Sequence, residues 1–232
     1  MSANVEGPSE ANGSVISAFA VQRIAHLRAT APGAAVLFYR TNTTGAWMDT
    51  IAVPQELVAT RILLDTHAKT GRRARCHRNT VVIAHDDDIP PGSYALIVMD
   101  CFHEYAATVS AVHACVARMA PDHGLLLAHD CLPWSEAVAG PTFISGSWCG
   151  QTYLGFLDVC YARPDLGFQI MDRDTGIGAL SSCPGLLKGV RDLDLHAGLH
   201  AAVLERKGLE YLRAHGAAFA GVVGDLELGA KL

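Results

Sequence analysis

The clearest hydrophobic signal in the chain is the unbroken run Ala95, Leu96, Ile97, Val98 and Met99, which follows Tyr94 and stops at Asp100. A run of this length without alternation fits a central parallel strand buried on both faces. The period then changes. Ala106, Val109, Val112, Cys115, Val116 and Met119 fall on one face of a helix over residues 104–119, closed by Pro121 and Gly124. Leu125 to Ala128 predicts the next strand, ending in His129 and Asp130. Farther on, Tyr153, Phe156, Leu157 and Cys160 predict a helix over 151–161 that Pro164 stops. Phe168 to Met171 and Ile177 to Ser181 flank Asp172, Arg173, Asp174, Thr175 and Gly176, the pattern of a hairpin with a glycine turn.

The upstream pattern is weaker. Val15, Phe19, Ile24 and Leu27 predict a helix over 15–28, ended by Pro32 and Gly33, and Ala34 to Tyr39 reads as a buried strand before a polar loop, Arg40 to Gly45. Pro54 opens a predicted helix carrying Leu57, Val58, Ile62 and Leu64 to near Gly71. Ala74 to His77 and Thr80 to Ala84 are strand candidates, the second richer in β-branched residues. Leu193 to His215 predicts a last helix, interrupted by Gly208, and the tail to Leu232 is expected to pack on the domain or on a second subunit. Residues 1–14 are polar and expected to be disordered. Residues 15–232 then form a single α/β domain: a doubly wound, mostly parallel sheet with a C-terminal antiparallel hairpin.

Composition narrows the partners. Against 18 Lys+Arg stand 23 Asp+Glu, a net charge of -5, and Arg72, Arg73 and Arg75 are soon followed by Asp86, Asp87 and Asp88, so no basic stripe marks a nucleic-acid surface. No apolar run approaches the ~18 residues that span a bilayer, and the start lacks a signal-peptide pattern. Seven cysteines without a CxxC pair read as reduced, mostly buried thiols, which suits the cytoplasm.

Candidate chemistry sits where two strands end. In open α/β sheets ligands bind outside the carboxyl ends of the strands, and Asp100 and Asp130 each close one. Two converging carboxylates repel unless a cation, a proton or a base lies between them. Oxygen donors suit Mg²⁺, Mn²⁺ or Ca²⁺; with His129 and His103 included, Zn²⁺ or Fe²⁺ also fits. His103, three residues after Asp100, suits a general base. The plainer reading makes these residues helix caps and polar loop contacts. His67, His113, His196, His200 and His215 lie on helical stretches with no carboxylate pattern around them. Trp148 between glycines is either part of a mobile loop near the site or a buried anchor, Asp86 ends a strand near which a ligand can sit, and Cys101 and Cys131 are minor nucleophile candidates.

Four segments together resemble a known family: Ala95 to Tyr105, Leu125 to Asp130, Gly146 to Gly150, and Asp174 to Gly178. Across residues 80 to 182 the chain resembles the C-terminal half of class I S-adenosylmethionine (SAM)-dependent O-methyltransferases of the macrocin and cephalosporin-tailoring type. The resemblance implies a Rossmann-like fold, Asp100 and Asp130 as ligands of a divalent cation, Mg²⁺ first, and His103 as base. His129 then stands where the family has the first member of an acidic pair. Upstream the chain departs from that pattern. Gly45 is the single glycine after the first strand, and no acidic strand end follows about 20 residues later to hold the ribose hydroxyls. Gly45 and Asp86 are the candidate cofactor contacts.

The expected function is metal-assisted methyl transfer from SAM to a small-molecule hydroxyl, on a sugar or natural-product intermediate, by a homo-oligomer. Two alternatives keep the fold and drop the cofactor: a metal- or His-dependent enzyme of another reaction type, or a non-catalytic partner subunit.

Overall fold

The computed structural model describes residues 14–41, 44–65, 80–144, 148–183 and 185–224. Its order is α1 (Ser14–Thr30), β1 (Ala35–Thr41), β2 (Val58–Leu64), β3 (Thr80–Ile83), β4 (Tyr94–Asp100), α2 (Tyr105–Val116), β5 (Leu125–Ala128), α3 (Thr152–Ala162), β6 (Gly167–Met171), β7 (Ile177–Ser181), α4 (Leu193–Leu204) and α5 (Gly208–Phe219). The seven strands form one sheet in the order β3-β2-β1-β4-β5-β7-β6. Five strands, β3 to β5 across the sheet, pair in parallel, and β7 runs antiparallel to both β5 and β6. The strand order reverses between β1 and β4, which opens a crevice at their carboxyl ends.

The unbroken apolar run in β4 has two faces to fill. Ile97 and Met99 pack with Val112, Cys115 and Val116 of α2 and Phe156 and Leu157 of α3, while Leu96 and Val98 pack with Ile16, Ala20, Ile24 and Leu27 of α1. Every residue of β4 and β5 is buried. That double cover explains why alternation is missing from their sequences.

One predicted element is wrong. Residues 58–64 are strand β2, paired with β1 from Val58 opposite Ala35 to Leu64 opposite Thr41, and not the middle of a helix. A short apolar segment satisfies either period, and here the β-branched Val58, Thr60 and Ile62 beside an open β1 edge decide for the sheet. The last helix is two, α4 and α5, with Gly208 opening the second. The start at residues 1–13, the strand candidate Ala74 to His77, the expected helix end near Gly71 and the tail from residue 225 lie outside the described residues. Among the described residues no helix is long and apolar enough to cross a membrane.

The hairpin turn between β6 and β7 docks on the segment after β5. Cys131 donates its N–H to the Gly176 carbonyl at 2.9 Å, and Leu132 donates to Thr175 at 2.9 Å. Gly176 has φ +82°, and a Cβ there would lie 2.0 Å from the Leu132 nitrogen. Gly33, at φ +89°, has nothing within 4 Å of that point. Gly33→Ala is therefore expected to cost about 1 kcal/mol from backbone strain alone, and Gly176→Ala about 2 kcal/mol more. Equal shifts in urea midpoint for the two variants would contradict the docking of the turn.

Candidate active site

Parallel pairing puts the site residues side by side. Met99 lies opposite Ala128, and the His129 N–H donates to the Met99 carbonyl at 3.0 Å, so Asp100 and His129 leave the sheet as neighbours. Asp130 turns back with φ 62°, a left-handed conformation that Asp and Asn tolerate better than most residues. All four strand-end residues are buried: Asp100, His103, His129 and Asp130.

His103 Nε2 lies 3.0 Å from Asp130 Oδ2 and 3.2 Å from Asp100 Oδ1. Its Nδ1 meets the carbonyl of Trp148. A carbonyl only accepts, so Nδ1 carries a proton and Nε2 is the atom that gains or loses one. The loop that supplies this carbonyl fits tightly. Gln151 donates its N–H to the His103 carbonyl at 2.9 Å, and a Cβ on Gly150 would lie 2.0 Å from that same oxygen. Trp148 is buried, an anchor against Phe102, His103 and Phe143, with its indole N–H donating to Gly140.

His129 is held from the other side. Its Nε2 lies 3.3 Å from Asp174 Oδ2 and 3.2 Å from Thr175 Oγ1, both on the hairpin turn. Its Nδ1 faces Asp130 Oδ2 at 3.1 Å and Asp100 Oδ2 at 3.6 Å, yet makes no hydrogen bond and is fully enclosed. The distances are those of an ion pair; the angles are not those of a hydrogen bond, and the angles decide. Asp174 thus holds the proton on Nε2 and turns Nδ1 toward two carboxylates, the orientation that carboxylates behind metal-ligating imidazoles impose, so that Nδ1 would offer its lone pair once a cation replaces its proton. Donor atoms of Asp100, His129 and Asp130 all lie within 4.8 Å of one another. This set fits a divalent cation, with one imidazole donor favouring Mn²⁺ or Zn²⁺ more than an all-oxygen set does.

Electrostatics bind the group together. Burial by itself would lower the His103 pKa, but the charge of Asp130 and the hydrogen bonds and charge of Asp100 override it and push it up to about 10. His129 is raised well above its ordinary value against the same opposing effect, and Asp130 is held well below the carboxylate range by the two imidazoles despite burial. Cys101 and Cys131 are enclosed, and burial pushes the first to about 12 and the second well above its usual value, so neither is an activated thiol.

The four residues floor a cavity of about 310 Å³ whose walls include Thr44, Gly45, Trp47, Phe102, Trp134 and Phe143. Gly45 is therefore at the site. Asp86 is not on its wall; its carboxylate accepts from the hydroxyls of Tyr39 and Ser110. Gly45 adopts φ +66°, and a Cβ on it would lie 2.6 Å from Met48 and 3.0 Å from the Asp100 Cβ. Trp47, which no motif in the sequence marks, also faces the site. Its indole N–H donates to Asp100 Oδ2 at 2.9 Å, and its ring lies 5.7 Å from that of His129. The segment that carries it is pinned by Arg61 of β2, which donates to the carbonyls of Met48 and Ile51 at 2.8 and 2.6 Å. Residues 58–64 being strand rather than helix, Asp65 directly follows β2 as an acidic residue at a strand end. Asp174 was visible only as a turn residue. Finally, His196 and His200 do have a carboxylate: Asp158 of α3 accepts from both.

No family model and no curated protein matches the chain. Solved structures similar to it include a SAM-bound amino pentose methyltransferase from Micromonospora echinaspora involved in calicheamicin biosynthesis, at 14% identity, covering 78% of this chain and all of that one with a TM-score of 0.46. DesVI from Streptomyces venezuelae is 13% identical over 72% of this chain and 92% of its own, with a TM-score of 0.41. A SAH-bound methyltransferase from Podospora anserina is 12% identical over 68% and 75%, with a TM-score of 0.39. With superposition this loose, the architecture stands on the chain's own strand order.

The raised His103 pKa has a sign. The folded state keeps a proton that the unfolded state releases near pH ~6.5, so its stabilisation is complete below that pH and is lost as pH rises toward about 10. In chelator-treated protein, unfolding free energy is expected to fall across this window by up to about 1.4 kcal/mol per pH unit. His103→Gln flattens the slope, measured by urea titration at several pH values; an equal slope in the variant would contradict the ion pairing.

Proposed function

We propose that the protein is a SAM-dependent O-methyltransferase acting on a small-molecule hydroxyl, with His103 as base and a divalent cation held by Asp100, His129 and Asp130. The observation that carries this reading is the convergence of His103 Nε2 and His129 Nδ1 on one pair of carboxylates at the carboxyl ends of β4 and β5, beside the switch point between β1 and β4. Asp65, directly after β2, would hold the ribose hydroxyls, and Thr44 and Gly45, on the cavity wall, would border the rest of the cofactor. The cation, when bound, orients and acidifies the acceptor hydroxyl. With the carboxylate charge that holds the extra proton on His103 offset by a cation on Asp100 and Asp130, Nε2 is free to take the hydroxyl proton as the methyl moves from the sulfonium sulfur to the oxygen and S-adenosylhomocysteine departs. The Trp148 carbonyl steadies the resulting imidazolium through Nδ1. Trp47, Phe102, Trp134, Phe143 and Trp148 give the cavity flat apolar walls, which suit a sugar ring face or an aromatic natural product. The family-level likeness of segments 95–105, 125–130 and 174–178 points the same way.

The same contacts favour a second reading. An imidazolium at His129, between Asp174 and the Asp100–Asp130 pair, balances the carboxylates without any cation. Acid–base chemistry at His103 would then need no metal.

His103→Ala is expected to lower turnover by about 10²- to 10⁴-fold with SAM affinity by calorimetry little changed. Chelation followed by Mn²⁺ or Mg²⁺ is expected to abolish and restore activity. Full activity after chelation selects the metal-free reading, and turnover unaffected by His103→Ala, or no SAM binding at all, sinks methyl transfer through this base.

A further inference from the structure

A second cluster of metal-binding groups lies on the helices, away from the strand ends. His196 and His200 stand one turn apart on α4, so both rings project from one face. Each Nε2 is 2.8 Å from the same atom, Oδ1 of Asp158, on α3. The three donor atoms all lie within 4.8 Å of one another. Their orientation is fixed from behind. Tyr105 of α2 donates its hydroxyl to Asp158 Oδ2 at 2.5 Å, which turns Oδ1 toward the imidazoles. Tyr161 stacks on His196 with ring centroids 3.9 Å apart and an interplanar angle of 13°, and the two imidazoles stand nearly perpendicular, at 87°.

We propose that Asp158, His196 and His200 form a Zn²⁺ site that clamps α4 to α3, with its fourth coordination position open to solvent. Two imidazoles and one carboxylate are a complete three-residue set for tetrahedral zinc. Ligand atoms around zinc at ~2.0–2.1 Å are separated by roughly 3.3 Å. Each imidazole nitrogen, now 2.8 Å from Asp158 Oδ1, needs to move off by only about half an ångström, and the side chain of His200 is 43% exposed. The same exposure leaves the fourth position to water. The Tyr105 hydroxyl plays the supporting part that hydrogen-bond partners play for carboxylate ligands. The alternative is a hydrogen-bonded lock in which both imidazoles donate to Oδ1 and no ion enters.

The clamp would act on two parts of the molecule. α3 begins at Thr152, directly after the loop that grips His103. The far end of α4, at Val203 and Leu204, lines a groove of about 720 Å³ whose wall includes Phe143 and Ile144, which also border the active-site cavity. The proposal stands whether or not the methyl-transfer reading does, because none of its three ligands touches the strand-end group.

Zn²⁺ alone is titrated calorimetrically into the full tag-free chain and into His200→Ala, Asp158→Asn and His129→Ala. His200→Ala and Asp158→Asn are each expected to lose one Zn²⁺ equivalent or weaken it by at least about 100-fold, whereas His129→Ala keeps that equivalent. Asp158→Asn preserves side-chain shape, so it serves if His200→Ala fails to fold. Zn²⁺ is also expected to raise the melting temperature of wild type and His129→Ala, and that of each clamp variant by less than that of wild type. Clamp variants that bind as many Zn²⁺ equivalents as wild type, or a wild type that binds no Zn²⁺ beyond what His129→Ala removes, overturn the clamp and leave the hydrogen-bonded lock.

Discussion

Three carboxylates buried around two imidazoles are the constraint on which the rest of the molecule depends. Asp100, Asp130 and Asp174 cannot share so small a space uncompensated, and each contact in the group supplies part of the compensation. The surrounding elements are arranged to hold that balance. β4 and β5 deliver the groups in register, the β6–β7 turn brings Asp174 behind His129, and the Gly150 loop brings a carbonyl behind His103. The hydrophobic packing on both faces of β4 is what makes this placement rigid.

That arrangement gives the two histidines different work although they meet the same carboxylates. His103 has an acceptor behind it that carries no charge, so the proton on its Nε2 responds to what occupies the carboxylates in front. His129 has a carboxylate behind it, which fixes Nε2–H and leaves Nδ1 to face the carboxylates in front. The difference lies entirely in second contacts, a backbone carbonyl against Asp174.

Legibility followed burial and period. β4, α2, β5, α3 and the β6–β7 hairpin were readable because their runs are long, or bounded by proline and glycine, and because a doubly covered strand leaves an unmistakable unbroken pattern. β2 was not, because Leu57, Val58, Ile62, Leu63 and Leu64 fit either period and the choice is made by β1, a neighbour that the local sequence does not announce. That one error concealed Asp65 as a strand end. The strand-end residues were legible since strand termini are a feature of order along the chain. Trp47, Asp174 and Asp158 were not, because their roles arise from contacts across 53, 45 and about 40 positions, set by the sheet and by helix packing.

The left-handed backbone at Asp130 restricts how this site can change over generations. Most side chains are penalised in that conformation, whereas Asn and Gly enter it readily. Neutral drift from Asp130 is thereby funnelled into two replacements, both of which keep the turn and delete the charge. A lineage can therefore lose the chemistry of this site without losing its shape, and a single codon change from Asn or Gly back to Asp returns it.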